Sequence, residues 1–484
     1  MHVRKPLVSS EAMRHTGGMD TDACYRALKA RDPRFDGLFF TAVRSTRIFC
    51  RPVCPARTPE RRNVEFFANA AAAQAAGYRP CLRCRPEVSP DAPAWAGTST
   101  TVHRALRLID EGALDQGSTA ELAERLGLTD RHLRRLFIEH LGIPPIMVAE
   151  SRRTLFAKKL ITETSLPFME IAFAAGFASL RRFNEAIRKV YERSPRDLRR
   201  VAPPQLPSPG AIELKLHYRP PYNWDSFLAF VGPRAIPGIE EVSAGIYRRG
   251  EIAIRNNPNG NCLVASIGPA NAKNLRRITE QIRFFFDLGA NTREIAVQLG
   301  KSAILKPIVR KYPGLRLPGC WDPFELAVRA ILGQQITVKG ASTLAGRLAA
   351  RFGGLRADIL AEADLAAIGL TKARAESIRA FSRAVMDKRI RFDDGLSSQE
   401  LIGGMCELPG IGPWTANYIA MRGLGDPDAF PAADQGLLRA SGISSPRRLE
   451  ELAEDWRPWR SYAALYLWES LARAQRVRRA RPVT

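Results

Sequence analysis

The 484-residue sequence has no run of about 18 apolar residues, which excludes a membrane-spanning helix. It also lacks the acidic residues needed to balance its basic ones. Asp and Glu number 49 against 73 Lys and Arg, so the net charge is +24 and the pI is near 10.2. Residues 1–200 and 201–484 each carry half of this excess. Basic charge spread over several domains is typical of proteins that bind a polyanion, most simply nucleic acid.

The N-terminus has no apolar core of the signal-peptide type, so we expect a reducing cytoplasmic location. In such a compartment paired cysteines more often bind metal than form disulfides. Two cysteine pairs, one C-x3-C and one C-x2-C, can close a tetrahedral zinc site. The spacing alone leaves open whether that site is structural or reactive. The four cysteines are Cys50, Cys54, Cys81 and Cys84.

Basic residues surround the first cysteine pair in the stretch IFCRPVCPAR. Arg51 and Arg57 are predicted to hold DNA phosphates while leaving one sulfur within reach of the DNA. A zinc-bound cysteine remains a thiolate near neutral pH, and the thiolate is the form that attacks carbon. The cysteine pattern therefore permits nucleophilic attack on carbon as well as a purely structural role.

Two joints rich in Pro, Gly and Ser, at 89–99 and 201–210, divide the chain into blocks. The predicted fold is multidomain and mainly α-helical, with α+β parts. We expect a small zinc-bound α/β domain, an all-α tandem helix-turn-helix domain, an α+β subdomain and a second all-α domain. Their predicted bounds are 1–90, 95–201, 211–300 and 301–484.

The second block contains two passages with helix-turn-helix spacing, at 119–142 and 167–195. Each has an apolar helix, a glycine, a capping residue and a second helix with basic residues on its outer faces. Two such units joined by one long helix can place recognition helices in successive turns of the major groove. The predicted DNA contacts on these helices are Arg131, Arg134, Arg181 and Arg182.

The last block contains the stretch ELPGIGPWTANYIAMRG, which predicts a helix, a glycine turn and a second helix. Gly410 and Gly412 let the backbone approach a partner, so the amides at the second helix can bind a DNA phosphate. Asp434 stands just before an apolar helix. By spacing alone an N-cap is favoured over a functional carboxylate.

Residues 30–57 and 63–86 resemble the zinc domain of the Ada family, and residues 100–200 resemble the AraC-type DNA-binding domain. The Ada resemblance implies one zinc ion held by the four cysteines. It also implies that Cys50 accepts a methyl group irreversibly from a methyl phosphotriester in DNA. Methylation would then strengthen DNA binding and make the protein an activator that works with RNA polymerase. The PCHR string of the Ada alkylguanine acceptor is missing, so repair of O6-methylguanine is not implied.

Residues 211–484 resemble DNA-3-methyladenine glycosylase II (AlkA), of the helix–hairpin–helix–Gly/Pro–Asp superfamily. The matching strings are WDPFELAVRAILGQQITV, LPGIGPWTANY, FPAADQGL and WRPWRSYAALYLW. The resemblance makes Asp434 the catalytic carboxylate and Gln335 the minor-groove wedge, where the family has an apolar leucine. It assigns the pocket for the flipped base to the aromatic residues Trp414, Tyr418 and Trp468.

Two departures narrow this resemblance. The lyase members carry a lysine where Pro413 and Trp414 follow the glycine turn, so the expected enzyme is a monofunctional glycosylase. No four-cysteine cluster follows Asp434, so no iron–sulfur cluster is expected.

The sequence as a whole is identified as an Ada–AlkA fusion that combines an alkylation sensor, a transcription factor and a base-excision enzyme. We expect a monomer that binds double-stranded DNA, both at damaged sites and at promoters, in the cytoplasm of a bacterium and associated with its nucleoid. One alternative is a transcription regulator whose glycosylase-like block only binds DNA. Another is a zinc-stabilised DNA-binding enzyme in which Cys50 is shielded and accepts no methyl group.

Overall fold

The computed structural model describes residues 20–90, 100–201, 211–392 and 397–480. Most of both predicted joints, 91–99 and 202–210, lies outside the described residues. The chain divides into two compact units. The first contains residues up to 219 with 257–280 and 288–290, and the second contains 220–256, 281–287 and residues from 291 onward. The four-part division remains a prediction.

The cysteine-bearing region of the first unit is a small α/β fold built on a four-stranded sheet. The strand order is β3-β1-β2-β4, with β1 antiparallel to both neighbours and β4 parallel to β2. Phe40, Ala42 and Phe49 form its core, and Thr41 pairs with Cys50 at the end of β2. The elements are α1 (Thr21–Ala30), β1 (Phe40–Val43), β2 (Ile48–Cys50), β3 (Val64–Phe67), α2 (Ala70–Ala75) and β4 (Arg79–Pro80).

The next region is entirely helical, as the sequence predicts, and contains both helix-turn-helix units. Its helices are α3 (Thr100–Asp110), α4 (Thr119–Arg125), α5 (Asp130–Leu141), α6 (Pro145–Glu163), α7 (Phe168–Ala174), α8 (Leu180–Tyr191) and α9 (Pro195–Val201). Thr129 and Ser179 cap α5 and α8 by accepting hydrogen bonds from backbone amides three residues later. Helix α6, with 19 residues, connects the two helix-turn-helix units, and much of its length is buried.

The part between 211 and 300 mixes strands with helices, in agreement with the expected α+β subdomain. In the first unit β5 pairs antiparallel with β9, and in the second unit β7 lies antiparallel between β6 and β8. The elements are β5 (Ile212–His217), α10 (Trp224–Val231), β6 (Glu240–Ser243), β7 (Ile246–Arg249), β8 (Ile252–Asn257), β9 (Cys262–Ile267) and α11 (Leu275–Phe285).

The remainder of the second unit is a helical bundle around an apolar core. Its helices are α12 (Thr292–Leu299), α13 (Leu305–Lys311), α14 (Pro323–Leu332), α15 (Val338–Phe352), α16 (Ala357–Leu360), α17 (Lys372–Met386), α18 (Ser398–Cys406), α19 (Pro413–Gly423), α20 (Gln435–Ser441), α21 (Pro446–Ala453) and α22 (Arg460–Ala480). The glycine turn lies between α18 and α19, as predicted. No helix within the described residues has both the length and the apolar character needed to cross a membrane.

Candidate active site and metal centre

The four paired cysteines meet at the ends of β2 and β4 in the first unit. Their Sγ atoms all lie within 4.8 Å of one another. Four thiolates at Zn–S distances of about 2.3 Å occupy a cluster of this size, so the donor set fits one zinc ion. Cys50 retains partial exposure, whereas Cys54, Cys81 and Cys84 are buried. Cys50 therefore differs from the other three cysteines in its exposure.

Arg51 was predicted to face DNA, and that prediction is wrong. Its side chain is only 8% exposed and forms an ion pair with Asp36 instead of facing DNA. The backbone amide of Arg51 donates to the Cys84 Sγ at 3.3 Å, and its guanidinium donates to the Cys84 carbonyl at 3.0 Å. Arg51 therefore supports the cysteine loops from inside the fold. Arg57 is exposed and remains a predicted phosphate contact.

A buried ionic cluster joins the cysteine region to helix α6 of the helix-turn-helix region. Arg85, the residue after Cys84, donates to Glu163 at 2.7 Å. The side chains of Glu87 and Lys158 are 0% and 1% exposed and form an ion pair with each other. Charges removed from water in this way are stable only when they are paired, so the cluster fixes how α6 packs on the cysteine loops. Nothing in the sequence pattern indicated it.

The four arginines predicted to contact DNA from the helix-turn-helix units all lie at the surface of α5 and α8. Arg134 pairs with Asp130, and Arg181 pairs with Glu185, each four residues away on the same helix. Exposed pairs of this kind contribute at most about 1 kcal/mol, so a DNA phosphate can replace the carboxylate. Arg131 and Arg182 are exposed as well.

The centre of the second unit is the carboxylate of Asp434, the N-cap residue of α20. Its Oδ1 accepts the Leu437 amide at 2.9 Å, so the capping role expected from spacing is present. Two indoles also donate to the carboxylate: Trp414 Nε1 to Oδ2 and Trp468 Nε1 to Oδ1, each at 2.9 Å. The backbone amide and the two indoles therefore hold one half-buried carboxylate in a fixed orientation.

The three aromatic residues predicted for the base pocket lie together. The rings of Trp414 and Tyr418 stack with centroids 5.7 Å apart and planes 9° apart. Trp468 meets Tyr418 edge-on at 6.3 Å. Stacked, electron-rich rings attract electron-poor or cationic partners. The indole hydrogen bonds to Asp434 give the two tryptophans a second role, which the sequence did not indicate.

Arginines that sequence reasoning missed lie behind this aromatic cluster. Arg422 donates to the Tyr418 hydroxyl at 2.8 Å, and Arg234 lies 3.8 Å from the ring centroid of Phe230. Burial raises the pKa of Tyr418, but the charges of Arg422, Arg234 and Arg329 have the larger effect and lower that pKa to about 8. Arg422 could have been found from its i+4 spacing to Tyr418 on α19. Arg234 and Phe230 come from a distant segment of the chain, so no spacing in the sequence indicates that they lie near Tyr418.

The glycine turn before α19 has one position that requires glycine. Gly410 has φ +74°, and a Cβ there would lie 2.2 Å from the Ser377 Oγ. Gly412 has no atom within 4 Å of the equivalent position, so its side of the turn is open to a partner. The residue before the predicted wedge, Gln334, donates to the Gly410 carbonyl at 2.8 Å. Gln335 is exposed with φ +59°, so the wedge candidate projects from a loop anchored to the turn.

Four family descriptions match successive parts of the chain. The metal binding domain of Ada matches residues 23–87, and a helix-turn-helix domain matches 122–201. The AlkA N-terminal domain matches 213–322, and the HhH-GPD superfamily base excision DNA repair protein matches 328–458.

One relative spans almost the whole chain. The probable bifunctional transcriptional activator/DNA repair enzyme AlkA of Mycobacterium tuberculosis is 42% identical, and the match covers 93% of this chain and 97% of that protein. The chain belongs to this Ada–AlkA family. The glycosylase part is also similar to DNA-3-methyladenine glycosylase 2 of Escherichia coli (32% identical, 52% of this chain, 95% of that protein). The N-terminal part is similar to Ada of E. coli (43% identical, 26% of this chain, 34% of that protein).

Membership of the Ada–AlkA family confirms the fusion identified from the sequence. The chain is a DNA-binding DNA glycosylase with a zinc site, and it combines DNA repair with regulation. The alternative of a regulator without glycosylase activity is therefore not favoured.

The geometry predicts that Gly436→Ala slows base release although Gly436 takes no part in the chemistry. A Cβ at this position lies 2.8 Å from the Asp434 Oδ1 and 3.3 Å from the Trp468 ring, so the carboxylate or the indole must shift. Misplacement by about 1 Å can cost on the order of 100-fold in rate. Single-turnover kinetics on alkylated duplex DNA measure this loss.

The matched control is Gly403→Ala, on the exposed side of α18, where an added Cβ meets no atom within 4 Å. That change should leave the rate unaltered and stabilise the helix by up to about 1 kcal/mol. Equal rates for both variants would show that the carboxylate needs no fixed position.

Proposed function

We propose that the chain repairs alkylated DNA by two separate chemistries and reports the damage through transcription. In the second unit, Asp434 supports hydrolytic excision of 3-methyladenine and related alkylated purines. In the first unit, Cys50 accepts a methyl group from a methyl phosphotriester. The observation that carries the first part is the Asp434 carboxylate, held by two indole N–H groups beside a stacked aromatic pair.

Alkylation at N3 or N7 makes a purine cationic and a good leaving group. During excision the bond from the base nitrogen to C1′ breaks with its electron pair on the base, and positive charge develops on the sugar. The fixed carboxylate of Asp434 stabilises that charge, and a water molecule then supplies the new oxygen at C1′. Extrusion of the nucleotide into the aromatic pocket is required first, since C1′ is not accessible inside the duplex.

Asp434→Asn should abolish release of 3-methyladenine while leaving DNA binding largely intact. The substitution removes the charge that faces the developing sugar cation, which costs on the order of 100- to 1000-fold in rate or more. An amide has only one acceptor oxygen, so one indole N–H also loses its partner. Binding persists because the turn around Gly410 and Gly412 grips phosphate through backbone amides.

The matched control is Asp364→Asn, an exposed carboxylate in the same unit that likewise accepts a nearby backbone amide. It should excise bases at the wild-type rate. Excision by the Asp434→Asn protein at the wild-type rate would refute the catalytic role proposed for Asp434.

The methyl-acceptor proposal rests on the difference in exposure within the cysteine cluster. The Cys50 Sγ, as a thiolate, forms a bond to the methyl carbon as the methyl–oxygen bond of the phosphotriester breaks. The electron pair stays on oxygen, so the products are a thioether and an ordinary phosphodiester anion. A bound zinc ion would supply the positive charge that keeps the thiols deprotonated.

Incubation with methyl-phosphotriester DNA should add one methyl group to Cys50, detected by peptide mass spectrometry. The exposed Cys406 serves as an internal control, because an exposed thiol away from the cluster should remain unmodified. A methyl group on another cysteine of the cluster, or no adduct on the zinc-loaded protein, would refute the assignment.

Regulation follows from the charge lost on methylation. Four thiolates around one divalent ion carry a net negative charge, and a thioether at Cys50 removes one unit of it. The protein then repels DNA less, and the two recognition helices bind their promoter more tightly. We further propose that the protein acts as a monomer in the bacterial nucleoid and that the bound form recruits RNA polymerase. The buried ionic cluster supports a coupling between Cys50 and the recognition helices, because Arg85 adjoins a zinc ligand and contacts α6 directly.

A double replacement, Glu87→Met with Lys158→Met, should weaken the effect of methylation on promoter affinity. Removing both members of a buried pair is often neutral for stability, and Arg85, which also pairs with Glu87, keeps its second partner Glu163, so the fold should persist. Zinc binding and methyl uptake should also remain, while the gain in DNA affinity on methylation shrinks.

Titration of promoter DNA at fixed salt, before and after methylation, measures that gain. The exposed pair Arg447 and Glu451 on α21, changed in the same way, is the control. A methylation effect as large as that of the wild type would mean that the cluster plays no part in the coupling.

A further inference from the structure

The segment that leads from α14 into α15 projects into solvent. Residues 335–338, the wedge loop, are all exposed, and they begin with the predicted wedge Gln335. The loop also carries two large apolar side chains, Ile336 and Val338, which are 37% and 38% exposed. Apolar side chains are the ones that minor-groove proteins commonly insert between bases. The loop is therefore suited to fill a gap in a duplex, provided that it is held in place.

Gln334, the residue before the wedge loop, joins it to the hairpin turn. Its side-chain Nε2 donates to the Gly410 carbonyl at 2.8 Å and to the Thr415 Oγ1 at 3.0 Å. Thr415 lies in the first turn of α19 and is 2% exposed. From the other side, Arg374 on α17 donates to the Gln334 carbonyl at 2.7 Å. Gln334 is therefore held by the hairpin and by α17 at the same time.

The backbone at Gln335 needs such support. Its φ of +59° lies in the left-handed region, which residues other than glycine seldom adopt. A conformation of this kind persists only where the surrounding structure fixes it. The contacts of Gln334 come immediately before it, and Thr337 caps α15 soon after it by accepting the Gly340 amide at 3.1 Å. The direction of the wedge loop therefore depends on how its two ends are held.

The hairpin turn is the part of the second unit predicted to bind a DNA phosphate. Gly412 provides no side chain to cap α19, and a Cβ built there meets no atom within 4 Å. Backbone amides at an uncapped helix start can bond to an anion. Because Gln334 bonds to the Gly410 carbonyl in this turn, the phosphate-binding amides and the wedge loop cannot move independently. A side chain that fills the place of an extruded base needs a fixed distance from the bound phosphate.

We infer that Gln334 is a positioning residue for base extrusion. Its side-chain amide holds the wedge loop at a fixed distance from the hairpin turn, so that binding of the phosphate places the loop in the gap left by the extruded base. The inference rests on the proposed glycosylase function and adds to it a residue that acts through the wedge loop and not on the reacting atoms.

The effect of Gln334 should be largest where extrusion is most costly. A base paired with its partner must lose its pairing and its stacking, whereas a base without a partner loses only its stacking. A general defect in the fold or in the chemistry would slow release from both kinds of duplex equally. Comparison of the two duplexes therefore separates positioning from a purely structural role.

Gln334→Met in the full-length protein tests the inference, because methionine keeps the length of the side chain and removes both donors. Single-turnover release of 7-methylguanine paired with cytosine should fall about tenfold, which corresponds to the loss of two neutral hydrogen bonds. Release of the same base placed opposite an abasic-site analogue should fall by less than about twofold. Affinity for undamaged duplex should stay within about twofold, because the turn still binds phosphate.

Fluorescence gives a second measurement that does not depend on the chemical step. A 2-aminopurine placed beside the damaged base becomes brighter when extrusion unstacks it. At saturating protein the increase should be smaller for Gln334→Met than for the wild type when the damaged base is paired. Opposite the abasic-site analogue the two proteins should give the same increase.

Two substitutions of Thr415 provide a matched pair within the same contact. Thr415→Ser keeps the hydroxyl that accepts from Gln334 and should behave as the wild type. Thr415→Val keeps the shape and removes the acceptor, so release from the paired duplex should fall about threefold. This pair carries the test if Gln334→Met does not fold. Gln298→Met is the control for loss of a glutamine amide, since Gln298 on α12 donates to the Arg457 carbonyl at 3.4 Å, and it should change neither measurement.

Equal losses on the paired and the unpaired base, or no loss on either, would overturn the inference while the glycosylase function stood. A loss in Thr415→Ser as large as that in Thr415→Val would overturn it as well. If the wild type released 7-methylguanine from neither duplex, the proposed function itself would fail.

Discussion

The two hydrogen bonds from Trp414 and Trp468 to Asp434 are the interactions on which the proposed glycosylase site depends. They tie α19 and α22 to the start of α20, so three helices determine the position of one carboxylate. Hydrogen bonds to a charged group contribute about 1.5–3 kcal/mol each. In the proposed mechanism the carboxylate is already oriented, so no rearrangement of Asp434 is needed when charge develops on the sugar. The same indoles also contact the Tyr418 ring, Trp414 by stacking and Trp468 edge-on, so the predicted base pocket and the Asp434 carboxylate share one framework.

The first unit uses buried charge for a different purpose. Arg51 and Asp36 pair beside the cysteines, and Arg85 connects the ligand loop with Glu163 on α6. A buried ion pair adds little net stability, but loss of one partner costs about 3–5 kcal/mol. Such pairs therefore restrict the arrangement of the elements they join. In the proposed function, a change of charge at Cys50 acts on elements that these pairs hold in one arrangement, which suits a sensor whose output is the placement of two recognition helices.

Features that depend on short spacing could be predicted from the sequence. The cysteine quartet, the caps at Thr129 and Ser179 and the turn at Gly410 each need only neighbouring residues to be recognised. Features that depend on distant segments could not. Arg51 stands beside a zinc ligand and was expected at the DNA surface, but Asp36 draws it into the interior.

The base pocket shows the same division. Trp414, Tyr418 and Trp468 were found through resemblance, which gave their identity but not the hydrogen bonds to Asp434. The arginines behind these aromatic residues lie almost 190 positions apart in the chain, from Arg234 to Arg422, and no local sequence pattern indicates that they meet. A buried arginine without a paired carboxylate can be recognised only when its burial and its hydrogen-bond partners are known.

A double-mutant cycle between Trp414 and Asp434 tests the central claim most directly. Trp414→Phe keeps an aromatic ring to stack on Tyr418 and removes the N–H donor. If the indole acts through the carboxylate, the substitution should slow single-turnover release of 3-methyladenine by about 10- to 100-fold in the wild type. In the Asp434→Asn background it should cause no further loss. The same fold-loss in both backgrounds would contradict the account, because the indole would then act independently of the carboxylate.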